Sequence, residues 1–245
     1  MRPSLCLPVE RKQVAPPNIK GFLSYARQAV DISPYQTYRR PNHPDPARRG
    51  TLVQVLVQIV ISQRARLSSE IVAADALFAV YPSLEALAQA SESHIADLIR
   101  PAGLHVAKAR KISALCQRIV GEFGHDFEAR LRELPDEEAR NLLMSLPGVG
   151  AKTADCMLEL GLGRLRLPIE TNIRKVGIRL ALIGNSAQDD LLRDQLVAAL
   201  DSDVEVFIAA HSALMAVGQR LCRGPEVRRP DCLVCSYMEE AAWAA

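Results

Sequence analysis

Residues 146–172 read LPGVGAKTADCMLELGLGRLRLPIETN, and this stretch decides the fold. Pro147 lacks an amide hydrogen, and Gly148 and Gly150 permit backbone angles that a side chain forbids, so neither flanking helix continues through the turn. A tight turn that opens a helix leaves backbone amides without intrahelical acceptors. Reinforced by the helix dipole, such amides receive anions, phosphate being the common occupant. Lys152 stands at the mouth of the helix, and Glu170 follows eighteen positions later. From the turn alone, an ordinary ligand-free connection between two helices is an equally good reading.

Working outward, helices are expected at 137–145 and 152–160, on either side of the turn. Upstream, TLVQVLVQIVISQ (51–63) sets Leu52, Val55, Leu56, Ile59 and Val60 on one face, with the period of a buried helix. Further helices read at 67–80, 83–90 and 92–99, several opened by Ser in the N-cap role. GLHVAKARKISALCQRIVGEFG (103–124) gives a long helix closed by Gly124. Downstream, 171–182, 189–200 and 204–217 read as helices, and one more is expected at 19–32 within a Pro- and Arg-rich approach. There is no period-2 alternation of useful length and no internal repeat. The fold class is all-α.

Composition sets the bounds. The chain has 245 residues, 49% of them hydrophobic, enough for one large or two modest domains. A net charge of +2 predicts no partner by itself, and 4% aromatics beside abundant Ala, Leu, Val and Ile favour helices over a β-sandwich. The opening MRPSLCLPVERKQ has no apolar run suited to a signal peptide, and the apolar stretch 52–61 is broken by Gln, so no membrane span is expected. Six cysteines without a signal argue for thiols or metal ligands over disulfides, and a cytoplasmic location is expected.

LPGVGAKTA (146–154) resembles the helix-hairpin-helix element of the endonuclease III family of DNA glycosylases, in the helix-hairpin-helix/Gly-Pro-Asp base-excision repair superfamily. The family's hairpin grips a DNA backbone phosphate, which implies DNA contacts by Gly148, Val149 and Gly150. The family carries a lysine directly after the turn and a carboxylate eighteen residues on, in a Val-Asp-Thr-His-like segment. Those positions here are Lys152 and Glu170, in IETN. ISQRA (61–65) is similar to the family's Ser-Ala-Gln segment and puts Gln63 where the family inserts a glutamine into the DNA stack. GLHVAKA (103–109) is similar to its Gly-Leu-x-x-x-Lys-Ala segment, with Leu104 as the wedge leucine. HSALMAVGQRLC (211–222) and CLVC (232–235) resemble the region that carries an iron–sulfur cluster. The likeness covers roughly residues 45 to 240.

It implies two helical domains with a DNA cleft between them. One, 44–164, would be a six-helix barrel-like domain containing the hairpin; the other would join 1–43 to 165–245 and carry the cysteine loop. It also implies a monomer acting on double-stranded DNA, nucleoid-associated if bacterial, with base excision and AP-lyase activity on damaged pyrimidines or abasic sites. Lys152 would form the Schiff base, Glu170 would stabilise the oxocarbenium charge, and Arg223, with Arg220, Arg228 and Arg229, would add phosphate contacts.

Three departures from the pattern bear on activity. Glu170 replaces the usual aspartate and carries its charge about one methylene further out, where a misplacement of about 1 Å costs on the order of a hundredfold in rate. It also stands at a helix start, where an acidic residue serves as a cap. The cysteine set is incomplete. The family spaces four as Cys-x6-Cys-x2-Cys-x5-Cys, whereas here Cys222, Cys232 and Cys235 have no fourth. A 4Fe–4S cluster with an atypical fourth ligand such as Glu239 or Glu240, a three-iron cluster, a zinc site with a histidine, and no metal at all stay open. Cys6, Cys116 and Cys156 read as buried apolar side chains. Asn172 stands in place of the family's His, which is expected to loosen support of the carboxylate, and Arg64 and Arg66 add charge after Gln63. These departures feed a rival reading, a non-catalytic or weakly active member that binds distorted DNA. A monofunctional adenine glycosylase is disfavoured, because that branch lacks the lysine and carries an additional C-terminal domain.

Overall fold

A computed structural model of the chain describes residues 19–33, 38–180, 182–183, 189–200 and 203–222. The described residues form α-helices and short 3₁₀ or π turns, with no strand among them, so the protein is all-α. In order the helices are α1 Ile19–Ala29, α2 Leu52–Ser62, α3 Leu67–Val80, α4 Leu84–Gln89, α5 Glu92–Leu98, α6 His105–Phe123, α7 Phe127–Glu133, α8 Asp136–Met144, α9 Ala151–Cys156, α10 Thr171–Arg179, α11 Asp189–Ala199 and α12 Val204–Ala216. No helix among the described residues is long and apolar enough to cross a membrane.

The chain divides into two compact units, Ser33–Pro168 and a second made of α1 with α10, α11 and α12. The first is built around α2. A single buried stripe is expected from its sequence, yet Val53, Val57, Gln58 and Ile61 are buried as well, so the helix is enclosed on nearly every side. A reciprocal cap starts it: the Gln54 amide donates to Thr51 Oγ1 at 3.2 Å and the Thr51 amide to Gln54 Oε1 at 3.1 Å. α3, α6 and α9 pack around it and contribute Leu77, Ile112, Leu115 and Ala154 to the core.

Gln58 is tolerated inside because its amide is used. Its Oε1 accepts from the Arg39 amide at 3.0 Å and its Nε2 donates to Glu70 Oε1 at 3.2 Å. Tyr38 donates to the other oxygen of Glu70 at 2.9 Å. Burial raises the Glu70 carboxyl from 4.5 to about 7, against these two hydrogen bonds and the field of Lys108. The folded state therefore holds this proton more tightly than the unfolded chain. Its stabilising effect is fully present below pH 4.5 and is lost as pH rises through about 7. Stability is expected to fall by roughly 2–3 kcal/mol across that window from this group alone. Urea unfolding of the wild type and Glu70→Gln at pH 5 and pH 8 checks it: the substitution should flatten the pH dependence, so that at pH 8 the variant is the more stable chain.

The sequence pattern gives no sign of α7, which follows a 3₁₀ turn at Gly124–Asp126 and buries only one short face, Phe127 and Leu131. Its end is held by Arg164, whose Nη2 donates to Leu134 O at 2.7 Å and to Arg132 O at 3.2 Å. The helix expected at 152–160 is α9 followed by a π-helical turn, Met157–Gly161, in which the Leu162 amide reaches back to Met157 O at 3.2 Å. α9 is clamped by Asp155, whose side chain is 4% exposed. Its Oδ1 accepts from Arg140 Nε of α8 at 2.8 Å and from Arg166 Nε at 2.7 Å, and Arg166 Nη1 reaches Glu137 at 2.6 Å.

In the second unit α1 packs on α12 and α11, and α10 packs on α12 and on the π turn Val217–Leu221 that ends it. Phe22, Leu192, Leu196 and Phe207 form the buried centre. Gly218 permits the close approach, since a Cβ there would lie 2.6 Å from Asn172 Cβ.

Candidate functional site

The hairpin joins α8 to α9 through 145–150. Gly148 has φ +77, and a Cβ on it would meet the Lys111 stem at 3.1 Å, so both conformation and space demand glycine. Gly150 does not follow the expectation shared by the two glycines. Its φ −100 and ψ 179 suit any residue, and a Cβ there would meet nothing within 4 Å. Val149 turns inward: its side chain is buried and its amide donates to Leu146 O at 3.2 Å. Gly150 is the N-cap of α9, no side chain caps that helix, and Lys152 is exposed in its first turn.

The two glycines should therefore respond differently to substitution. Gly148→Ala is expected to cost about 1–3 kcal/mol by forcing a side chain into the left-handed region. Gly150→Ser, at a conformation and cap position that serine suits, should leave stability within about 0.5 kcal/mol. Thermal unfolding of both variants tests the contrast, and a large loss at Gly150 would contradict it.

Gln63 follows α2 and is held on the hairpin. Its Nε2 donates to Gly148 O at 3.1 Å and to Thr153 Oγ1 at 3.3 Å, while its Oε1 accepts from Lys111 Nζ at 3.2 Å. Motifs 85 residues apart in the chain thus meet in one cluster. Leu104, the N-cap of α6, is 59% exposed, and Val106 beside it is 58% exposed. Two non-glycine residues among those described have positive φ, and both lie in this region: Arg64 at 56° and Leu104 at 49°. Each costs about 1–3 kcal/mol, a strain that collects at functional sites. Lys108 is the lysine of the segment that resembles Gly-Leu-x-x-x-Lys-Ala, where the sequence gives it no role of its own. It is buried, and its Nζ donates to Ile61 O at 2.7 Å and to Ala102 O at 2.9 Å. Its spacing from Ile112 and Leu115, on the buried face of α6, is the signal that could have found it.

Glu170 belongs to the second unit and caps α10. Its Oε1 accepts from the Asn172 and Ile173 amides at 2.9 and 3.0 Å, and its Oε2 from Asn172 Nδ2 at 3.0 Å. Asn172 therefore braces the carboxylate rather than loosening its support. Lys175 Nζ in turn donates to Gly218 O at 2.8 Å. Cys222 is buried, and Arg179 Nη1 donates to its sulfur at 2.8 Å, an environment that suits a thiolate ligand. Cys232, Cys235 and Arg223 lie outside the described residues, among which no group of His, Cys, Asp and Glu could hold a metal. Cys116 and Cys156 are buried as expected, and burial pushes the Cys116 thiol up to about 12. Cys6 is outside the described residues.

A family model described as the HhH-GPD superfamily base excision DNA repair protein matches residues 57–201, more than half of the chain and the whole of the hairpin. The chain belongs to the HhH-GPD superfamily. Among its relatives, this HhH-GPD protein is 27% identical over 214 residues to endonuclease III of Thermotoga maritima, covering 87% of this chain and 90% of the relative. It is 30% identical over 181 residues to endonuclease III of Treponema pallidum, covering 74% and 79%. The fold matches the structure of a non-covalent endonuclease III–DNA complex with a TM-score of 0.65 at 21% identity, over 92% of this chain and 95% of that one. The HhH-GPD chain is thus an endonuclease III-like member of a base-excision repair glycosylase family.

Proposed function

We propose that the protein is a bifunctional DNA glycosylase with AP-lyase activity, acting on damaged pyrimidines or abasic sites in double-stranded DNA. The observation that carries this reading is Lys152, an exposed lysine in the first turn of a helix that opens without a side-chain cap directly after the hairpin. The open space around Gly150 supports the hairpin's role, because a glycine that neither its angles nor its neighbours require suits the close approach of a ligand. Gly148 and Val149 hold the turn in shape, Leu104 wedges the duplex, and Gln63 fills the gap left by an unstacked nucleotide.

In this mechanism the neutral amine of Lys152 attacks C1′ of the deoxyribose, and the base departs with the electron pair of the glycosidic bond. The sugar ring then opens: the nitrogen lone pair forms the Schiff base at C1′ as the C1′–O4′ bond breaks, and O4′ takes up a proton to become a hydroxyl. Removal of a C2′ proton and departure of the 3′ phosphate complete β-elimination and nick the strand. Glu170 stabilises the positive charge that develops as the base leaves. Its capping bonds do not preclude this: Oε1 accepts two amides, but Oε2 accepts one hydrogen bond and keeps a second lone pair.

Cys222, Cys232 and Cys235 fit the thiolate part of a 4Fe–4S site with an atypical fourth ligand, and Arg179 steadies the first of them. Such a cluster would supply a rigid anchor for the C-terminal loop and for Arg223, which adds a phosphate contact. Anaerobically purified protein should contain iron and sulfide; one zinc per chain, or no metal, would overturn the cluster.

The second reading, a non-catalytic binder of distorted duplex, is favoured by the capping bonds of Glu170. Borohydride reduction in the presence of abasic-site DNA decides between the two. A covalent complex is expected from the enzyme, whereas retained duplex binding without trapping identifies the binder.

A further inference from the structure

The two loops that bear Gln63 and Leu104 share one buried cation. We propose that Lys108 is a positioning residue that fixes the spacing of Gln63 and Leu104, and thereby sets how strongly the protein prefers an abasic site to intact duplex. This rests on the glycosylase reading above. Lys108 is 2% exposed, and its ammonium donates to Ile61 O at 2.7 Å and to Ala102 O at 2.9 Å. Each acceptor lies two residues before a proposed stack-entering side chain: Ile61 before Gln63, Ala102 before Leu104. Beyond each acceptor the backbone passes through the left-handed region at a non-glycine residue, Arg64 on one loop and Leu104 on the other.

A buried ammonium is costly to desolvate, and burial disfavours its charge here although Glu70 opposes that effect. An apolar side chain of similar length would fill the same space more cheaply. What such a side chain cannot do is hold two carbonyls from two loops at a fixed separation. The Gln63 loop has a second anchor in the hairpin through Gly148 O. Around Leu104 the structure is open, since a Cβ at Gly103 would meet nothing within 4 Å. Lys108 is thus the hydrogen-bonded tie between the wedge loop and the end of α2.

A double-mutant cycle tests this. The readout is the ratio of affinities for a duplex carrying a tetrahydrofuran abasic analogue and for the same duplex undamaged. Leu104→Ala and Lys108→Met should each lower that ratio about tenfold, and the double mutant should lower it by no more than about tenfold in total rather than a hundredfold, because residues acting as one unit are not additive. Lys108→Arg, which keeps the charge and the donors, should restore much of the ratio. Independent effects that multiply, or an unchanged ratio in Lys108→Met, would overturn the proposal, since a residue that merely supports the fold gives no coupling to Leu104. If Lys108→Met is unfolded at the assay temperature, Lys108→Gln, which retains a donor, takes its place in the cycle. A wild-type ratio near one would instead sink the glycosylase reading proposed above, and this inference with it.

Discussion

Lys152→Gln is expected to abolish borohydride trapping on abasic-site DNA and to lower strand nicking by a factor on the order of 10³ or more. The same substitution should leave thermal stability within about 0.5 kcal/mol, because the side chain is exposed in the first turn of α9. Loss of chemistry without loss of fold separates a nucleophile from a structural lysine. Trapping that survives the substitution would move the nucleophile elsewhere. Glu170 offers a graded companion. Glu170→Asp keeps a good helix cap for α10, so any change in activity reports on where the charge lies and not on helix stability. Glu170→Gln should slow base release more than nicking at a preformed abasic site, since only the first step develops the full oxocarbenium charge.

The largest loss of stability is expected from Asp155→Ala. Two guanidinium groups, from Arg140 and Arg166, converge on one oxygen of a side chain that is 4% exposed. Removing Asp155 leaves the partly buried Arg140 without this partner and Arg166 with Glu137 alone, and loss of one member of a buried cluster costs about 3–5 kcal/mol. Both arginines keep some exposure, which favours the lower end of that range. For a chain of this size the melting temperature should fall by roughly 10 °C. Asp155→Asn, which retains an acceptor for one arginine, should lose less. Differential scanning calorimetry of the two variants measures both effects, and a shift of only a degree or two for Asp155→Ala would mean that solvent already screens the cluster.

Much of the fold was legible because its signals are local. Pro147 and Gly148 punctuate the chain where the hairpin stands, and the apolar run 52–61 announces a helix buried at the centre of its unit. The short α7 was not legible. It has only seven residues, and a pair such as Phe127 and Leu131 is too little periodicity to see beside Gly124. The π turns were hidden because they shift backbone hydrogen bonds without changing the apolar pattern. In the candidate site, Lys152 and Leu104 could be picked out from their motifs, and both are exposed. The grip of the hairpin on Gln63 depends on contacts between distant segments, and the role of Lys108 rests on carbonyl partners that its motif does not reveal. Glu170 was readable as a cap from its place before Thr171, a role its hydrogen bonds bear out.

The order of segments in the chain also has a consequence for biosynthesis. Helix α1 leaves the ribosome before the Ser33–Pro168 unit, and its packing partner α12 only after the whole of that unit. Phe22 and Phe207, both buried in the finished unit, are 185 positions apart, a delay of roughly 10–40 s at ordinary elongation rates. During that interval the continuous unit can complete its local helix pairs, while α1 waits as an amphipathic segment with Phe22 and Leu23 in water. Until α12 is released, the apolar face of α1 is therefore open to chaperones and proteases.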